Sequence, residues 1–124
     1  MSLTLDRTTM SLQAKLDISA SVNIPQAIVH YYDVPLNEKM DQSQYQRSTQ
    51  YTTLSSSADF TICDAPTTNG WRREIVFVSV VNKNASAAVV TIKLDDSAET
   101  AYVVKSIAQN TALCYEDKHG FYTL

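Results

Sequence analysis

The chain has 124 residues, a hydrophobic content of 44% and a net charge of −3, which predicts one globular domain with a core of ordinary size. Acidic and basic residues are interspersed, and no stripe of lysine and arginine offers a footprint for a phosphate backbone, so direct nucleic-acid binding is not expected. No apolar run reaches the length of a membrane span, and the N-terminus has no apolar signal core. We therefore expect synthesis in a cytosol and no membrane partner.

Glycine and cysteine are both scarce. The two glycines, Gly70 and Gly120, leave no glycine-rich loop for phosphate groups, so most turns must use Asn, Asp, Ser or Pro. The two cysteines, Cys63 and Cys114, are far apart and lack CxxC spacing. Because cytosolic proteins seldom hold structural disulfides, we expect buried, reduced thiols, with a disulfide between them as the alternative. No cofactor is predicted.

The first third of the chain predicts short strands. Residues 3–16 predict two of them, and their inward-facing apolar candidates are Leu3, Leu5, Met10, Leu12 and Leu16. Residues 26–34 predict another strand, which ends at Pro35.

The next segment, residues 36–50, is polar and has no apolar period of helical length, so it predicts a long exposed excursion. Strand patterns return at 51–56 and 59–63. Residues 64–73 then form a loop that contains Pro, Asn and Gly. The N-terminal part, residues 1–70, is therefore the less regular part of the chain.

Residues 71–124 carry the strongest β pattern. Segments rich in β-branched and aromatic residues predict five strands, at 73–82, 87–96, 101–107, 111–117 and 120–124. Because short polar links join them, we predict a five-stranded antiparallel meander. With no helical period anywhere, the fold class is all-β, a single antiparallel β-sandwich or jelly-roll-like domain over residues 1–124.

The closing segment LCYEDKHGFYTL combines a thiol with a titratable base, the raw material of a nucleophilic site. On the predicted strands, however, Cys114 and His119 are more than about 10 Å apart at ~3.3 Å per residue, whereas a catalytic pair needs about 3 Å. We therefore predict a hairpin with Gly120 at positive φ, and no enzymatic activity.

Aromatic and arginine side chains are the candidates for partner contacts. The segment VHYYDV holds one histidine and one carboxylate, too few for a zinc site, so one tyrosine face of this strand is expected to pack on a partner. The polar excursion has the Gln, Ser, Thr and Tyr content of an adaptable contact surface, with a solvated loop as the alternative. Trp and Arg are favoured at interface hot spots, with a loop anchor as the alternative. The candidate contact residues are Tyr31, Tyr45, Tyr51, Trp71 and Arg72. No catalytic, cofactor-binding or metal-binding residue is predicted.

Several patterns of the C-terminal part recur together in one group of proteins. They are a strand ending in Val-Asn (VSVVNKNASAAV), a strand ending in Leu-Asp-Asp (VTIKLDD), a Tyr-Val-Val strand, an alanine-containing turn (SIAQNTAL) and a closing hairpin (YEDKHGFYTL). With these patterns the chain resembles small structural proteins of tailed-bacteriophage virions, and the N-terminal LTL, SLQAKL and IVHYYDV extend the resemblance to nearly the whole chain. Two positions depart from the group, in which a glycine often stands at Lys118 and a tryptophan at Phe121.

The resemblance implies a compact β-sandwich that assembles into the virion after synthesis in the host cytoplasm, with no catalytic residues. Our first expectation is a capsid decoration or cement protein that binds the major capsid protein or other virion proteins as a homo-oligomer. A head–tail connector or tail component is the alternative within this class. The alternative of another class is a carbohydrate- or receptor-binding β module, whose tyrosines would stack on sugar rings. Exposed aromatic residues at one end of the sandwich would favour that alternative.

Overall fold

The computed structural model describes residues 3–19, 22–35, 46–96 and 98–124. These residues form ten β-strands and no helix: β1 (Leu3–Leu5), β2 (Ser11–Leu16), β3 (Gln26–Pro35), β4 (Gln46–Thr53), β5 (Phe60–Cys63), β6 (Trp71–Asn82), β7 (Ala88–Asp96), β8 (Ala98–Ile107), β9 (Thr111–Glu116) and β10 (Gly120–Thr123).

The strands form two antiparallel sheets that pack against each other. One sheet has six strands in the order β10-β9-β6-β3-β4, with β1 paired to β6 beyond the end of β9. The other sheet has four strands in the order β5-β2-β7-β8. The predicted all-β sandwich is thereby confirmed.

The meander predicted for residues 71–124 is wrong in its pairing, although all five strands are present. Strand β6 pairs with β3 and β9, whereas β7 pairs with β2 and β8. The links 83–87 and 108–110 each carry the chain from one sheet to the other. Short links gave no indication of this, because a strand with one apolar face can bury it either beside its neighbour or across the core from it.

The N-terminal predictions have a mixed outcome. All five inward candidates of residues 3–16 are buried, which confirms the two strands. The excursion is wrong for residues 46–50, because they form the first part of β4 and pair with β3. Strand β4 lies at a sheet edge, and its inward residues include Ser48 and Gln50, so it lacks the apolar alternation expected of a strand. The remainder of the predicted excursion lies outside the described residues.

The core lies between the two sheets and is formed by alternate residues of their strands. Among its largest fully buried side chains are Leu3, Leu5, Leu12, Leu16, Leu54, Ile62, Ile92, Leu113 and Tyr115.

Asn82, at the end of β6, joins the two links that cross between the sheets. Its side-chain Nδ2 donates to the carbonyl oxygens of Ser86 at 2.9 Å and of Ile107 at 3.1 Å. Its Oδ1 accepts from the amide of Asn84 at 3.0 Å, and its carbonyl oxygen accepts from the amide of Asn110 at 2.7 Å. Asn82 is fully buried, so these bonds satisfy a polar group that would otherwise be costly to bury.

We predict that Asn82→Asp lowers the free energy of unfolding by about 3 kcal/mol or more, because a buried carboxylate would face two carbonyl oxygens instead of donating to them. Urea denaturation measures the loss. Asn84→Asp is the matched control in the same turn: its Oδ1 only accepts, from the amide of Ser86, and an aspartate oxygen accepts equally well. Equal losses in the two variants would contradict the role assigned to Asn82.

Candidate interaction surfaces

On the solvent side of the six-stranded sheet, alternate residues of adjacent strands form a surface that we call the outer face. The strand register places them in two neighbouring rows that cross the sheet. The rows are Tyr51–Ile28–Ser79–Cys114–Tyr122 and Thr49–His30–Phe77–Glu116. The outer face is thus rich in aromatic and apolar side chains.

Contacts within the outer face hold its side chains in place. The Nδ1 atom of His30 lies 2.7 Å from the Thr49 hydroxyl, and the His30 ring packs on Phe77 with their centroids 5.7 Å apart. Tyr51, in contrast, is 73% exposed on the edge strand β4. The surface therefore combines a fixed centre with one large aromatic side chain that is accessible to a partner.

Two of the candidate contact residues, Trp71 and Arg72, lie on opposite sides of the sheet, because neighbouring residues of a strand point to opposite faces. Arg72 lies on the solvent side, where its Nε is 2.9 Å from Glu74 Oε1. Trp71 shares the inner side with Arg73. Sequence reasoning named both residues, but it did not use this alternation to separate them.

Two of the tyrosine candidates, Tyr31 and Tyr51, also lie on opposite sides of the sheet. Tyr31 is 9% exposed and belongs to the core cluster, with the Cζ atom of Arg73 4.6 Å from its ring centroid. Almost none of its surface is available to a partner. Tyr51 lies on the outer face, and Tyr45 lies outside the described residues.

A pocket of about 200 Å³, which we call the end pocket, lies at one end of the sandwich. Its lining residues are Asp33, Gln46, Pro66, Thr67, Thr68 and Trp71. Asp33 and Gln46 are opposite each other on β3 and β4. The loop that follows β5 supplies the Pro and Thr residues. It then turns into β6 at Gly70, whose φ of +84° is a conformation that glycine adopts without strain.

Arg73 holds Asp33, one of the residues that line the end pocket. Its Nε donates to Asp33 Oδ1 at 2.9 Å, and its Nη1 donates to the carbonyl oxygen of Asp64 at 2.8 Å. The side chain of Arg73 is 10% exposed, and it also covers the ring of Tyr31. One guanidinium group therefore compensates the charge of Asp33 and ties the loop to β6.

The closing segment forms the predicted hairpin. Gly120 has a φ of +80°, and the amide of His119 donates to the carbonyl oxygen of Glu116 at 3.0 Å. Lys118, where the resembling proteins often have glycine, also adopts a positive φ, of +73°. The two positive φ values confirm that this segment is a tight turn at the end of the paired strands β9 and β10.

Both cysteines are free and buried, which confirms the expectation of unpaired thiols. Burial raises the pKa of Cys114, and it raises the pKa of Cys63 to about 12 against the opposing charge of Arg73. At neutral pH both thiols are protonated, whereas the thiolate is the nucleophilic form. Neither cysteine thus has the character of a catalytic nucleophile.

Among the described residues, no group of three or more His, Cys, Asp or Glu side chains is placed to hold a metal ion. The same residues contain no helix that is long and apolar enough to cross a membrane. Comparisons of the chain with protein-family models, with curated proteins and with solved structures found no match. We therefore infer function from the outer face, the end pocket and the sequence patterns.

We predict that Cys63 makes the protein less stable at alkaline pH. The pKa of its thiol is about 12 in the folded state, whereas the ordinary value of 9.0 applies to the unfolded chain. Between these two pH values the unfolded chain loses a proton that the folded chain keeps. The stabilising contribution of the protonated thiol is fully present below pH 9. Between pH 9 and about pH 12, the free energy of unfolding falls by about 1.4 kcal/mol per pH unit.

Urea denaturation of the wild type and of Cys63→Ala at pH 8, 9.5 and 10.5 checks this prediction. The variant starts from lower stability because it loses packing, but its stability should fall less steeply with pH. Parallel curves would show that the thiol of Cys63 is not the titrating group.

Proposed function

We propose that this protein is a non-enzymatic structural component of a tailed-bacteriophage virion, acting as a capsid decoration or cement protein. The sequence patterns of the strands and of the closing hairpin support this proposal over nearly the whole chain. The sandwich fold agrees with what the resemblance implies.

The observation that carries the proposal is the outer face. Its two rows present Ile28, His30, Phe77, Tyr51 and Tyr122 on one side of a sheet. Interface cores are enriched in aromatic residues and depleted of charged ones, and exposed aromatic side chains are frequent hot spots. Of the nine residues in the two rows, only Glu116 is acidic and none is Lys or Arg, so the outer face has this composition and is the surface that we assign to the major capsid protein.

The sheet beneath the outer face supports the same role. Antiparallel pairing connects β10 through β9, β6 and β3 to β4, with one shift in register between β3 and β6 at His30 and Tyr31. A surface on paired strands loses little conformational entropy when it binds, which favours attachment. Capsid shells repeat their sites by symmetry, so we also propose that the protein binds as a homo-oligomer.

A head–tail connector or tail component is the second candidate within this class, and the copy number separates it from a decoration protein. Quantitative mass spectrometry of purified virions should find the protein at hundreds of copies for decoration, or at about a dozen or fewer for a connector at the unique vertex. Absence of the protein from the particles would contradict both roles.

We predict that Tyr51→Ser weakens attachment to particles lacking the protein by about tenfold or more, because it removes the most accessible aromatic side chain of the outer face. Sedimentation of particles with the added variant measures the bound fraction. The stability of the variant should stay close to that of the wild type, since Tyr51 is 73% exposed.

Val104→Ser is the matched control, because Val104 is an apolar residue that is 58% exposed on β8 of the other sheet. It should bind like the wild type. If Tyr51→Ser binds as well as Val104→Ser, the outer face is not the attachment surface.

A further inference from the structure

The end pocket is independent of the outer face. Trp71 and Asp33 lie on the inner side of the six-stranded sheet, whereas Tyr51 and Arg72 lie on its solvent side. A partner seated on the outer face would therefore leave the end pocket accessible. Ligand binding in the end pocket would thus be separate from the proposed function.

The charges around the end pocket indicate a neutral ligand. Asp33 is paired through Oδ1 with Arg73 Nε at 2.9 Å, and Arg73 is also bound to the carbonyl oxygen of Asp64. A cationic ligand would require an uncompensated carboxylate, and an anionic ligand would require an uncompensated guanidinium. The pair offers neither an uncompensated carboxylate nor an uncompensated guanidinium. Its contact is made through Asp33 Oδ1, and the Oδ2 atom can accept hydrogen bonds from a ligand.

The polar groups around the end pocket fit a ligand with several hydroxyl groups. The amide of Gln46 and the hydroxyls of Thr67 and Thr68 can each donate and accept, whereas Asp33 Oδ2 accepts only. Adjacent hydroxyls of one molecule can satisfy such a set because each hydroxyl also donates and accepts.

The indole of Trp71 supplies the apolar part of the site. The face of an aromatic ring carries partial negative charge, and it attracts the slightly positive C–H groups on the flat side of a sugar ring. Pockets for drug-sized ligands measure about 300–1,000 Å³, and the end pocket is smaller, at about 200 Å³. It has room for a single ring.

We propose that the end pocket binds a neutral saccharide, with one pyranose ring stacked on Trp71 and its hydroxyls hydrogen-bonded to Asp33, Gln46 and the Thr67–Thr68 segment. The ring can be a free monosaccharide or the terminal residue of a glycan chain, since the contacts are the same.

Tryptophan fluorescence, excited selectively over that of the tyrosines, tests this proposal, because Trp71 is the single tryptophan of the chain and lines the end pocket. The probes are glucose, galactose, mannose, N-acetylglucosamine and their neutral oligosaccharides, with glucuronate and glucosamine as charged counterparts. We expect a saturable change with a Kd of about 1 mM for at least one neutral sugar, and binding of its charged counterpart at least about tenfold weaker. An oligosaccharide that binds about tenfold more tightly than its monosaccharide would identify a glycan chain, and equal affinities would identify a free sugar.

Two mild variants locate the binding. Thr67→Val and Gln46→Ala remove polar groups at exposed positions without touching the pair of Asp33 and Arg73, and each should weaken binding by about fivefold or more. Val104→Thr on the other sheet is the control and should bind like the wild type. The proposal is overturned if no neutral sugar gives saturation, if charged sugars bind as well as neutral ones, or if the pocket variants bind like the control. Thr67→Val should attach to particles lacking the protein as the wild type does, because Thr67 does not belong to the outer face. Loss of sugar binding and loss of attachment are therefore measured separately.

Discussion

Strand β6 has hydrogen-bonding partners along both of its edges, and the rest of the structure depends on this arrangement. Strand β3 covers one edge, while β9 and β1 share the other. Where β1 and β9 meet, the buried hydroxyl of Tyr115 accepts a hydrogen bond from the amide of Leu3 at 3.0 Å. Both surfaces include residues of β6, because Phe77 and Ser79 belong to the outer face while Trp71 lines the end pocket. Strand β6 thus joins three other strands and contributes residues to both surfaces.

The fold could be predicted from the sequence where the signal is local. The five strands of the C-terminal part and the hairpin at Gly120 follow from alternation and turn chemistry, which act over a few residues. The pairing of those strands could not be predicted in this way, since a link of a few residues can stay in one sheet or cross to the other. The first part of strand β4, residues 46–50, was missed because an edge strand with polar inward residues has no apolar period to detect.

The candidate surfaces were predictable in residue type more than in position. Trp71, Arg72 and Tyr51 were named for their chemistry, and alternation along β3 would also have indicated that Tyr31 is buried beside Val29. The ion pair that holds Asp33 at the end pocket was not predictable, because Asp33 and Arg73 are 40 residues apart and meet only through the pairing of β3 with β6. Ion pairs add a further limit: Lys93 alternates with the buried Ile92 along β7, yet it is only 8% exposed, and its Nζ lies 2.8 Å from Asp59 Oδ2.

The hydrogen bonds of Asn82 have a consequence for the order of folding. The hairpins β7–β8 and β9–β10 are local in sequence and can form early, each in its own sheet. Asn82 bonds to the carbonyl oxygens of Ser86 and Ile107 and to the amide of Asn110, so its bonds are complete only after both hairpins have docked on opposite sides of the core. The closure of the sandwich is therefore a non-local event of the kind that makes β-proteins fold in milliseconds to seconds. The hydrogen bonds of Asn82 therefore form when the two sheets pack against each other.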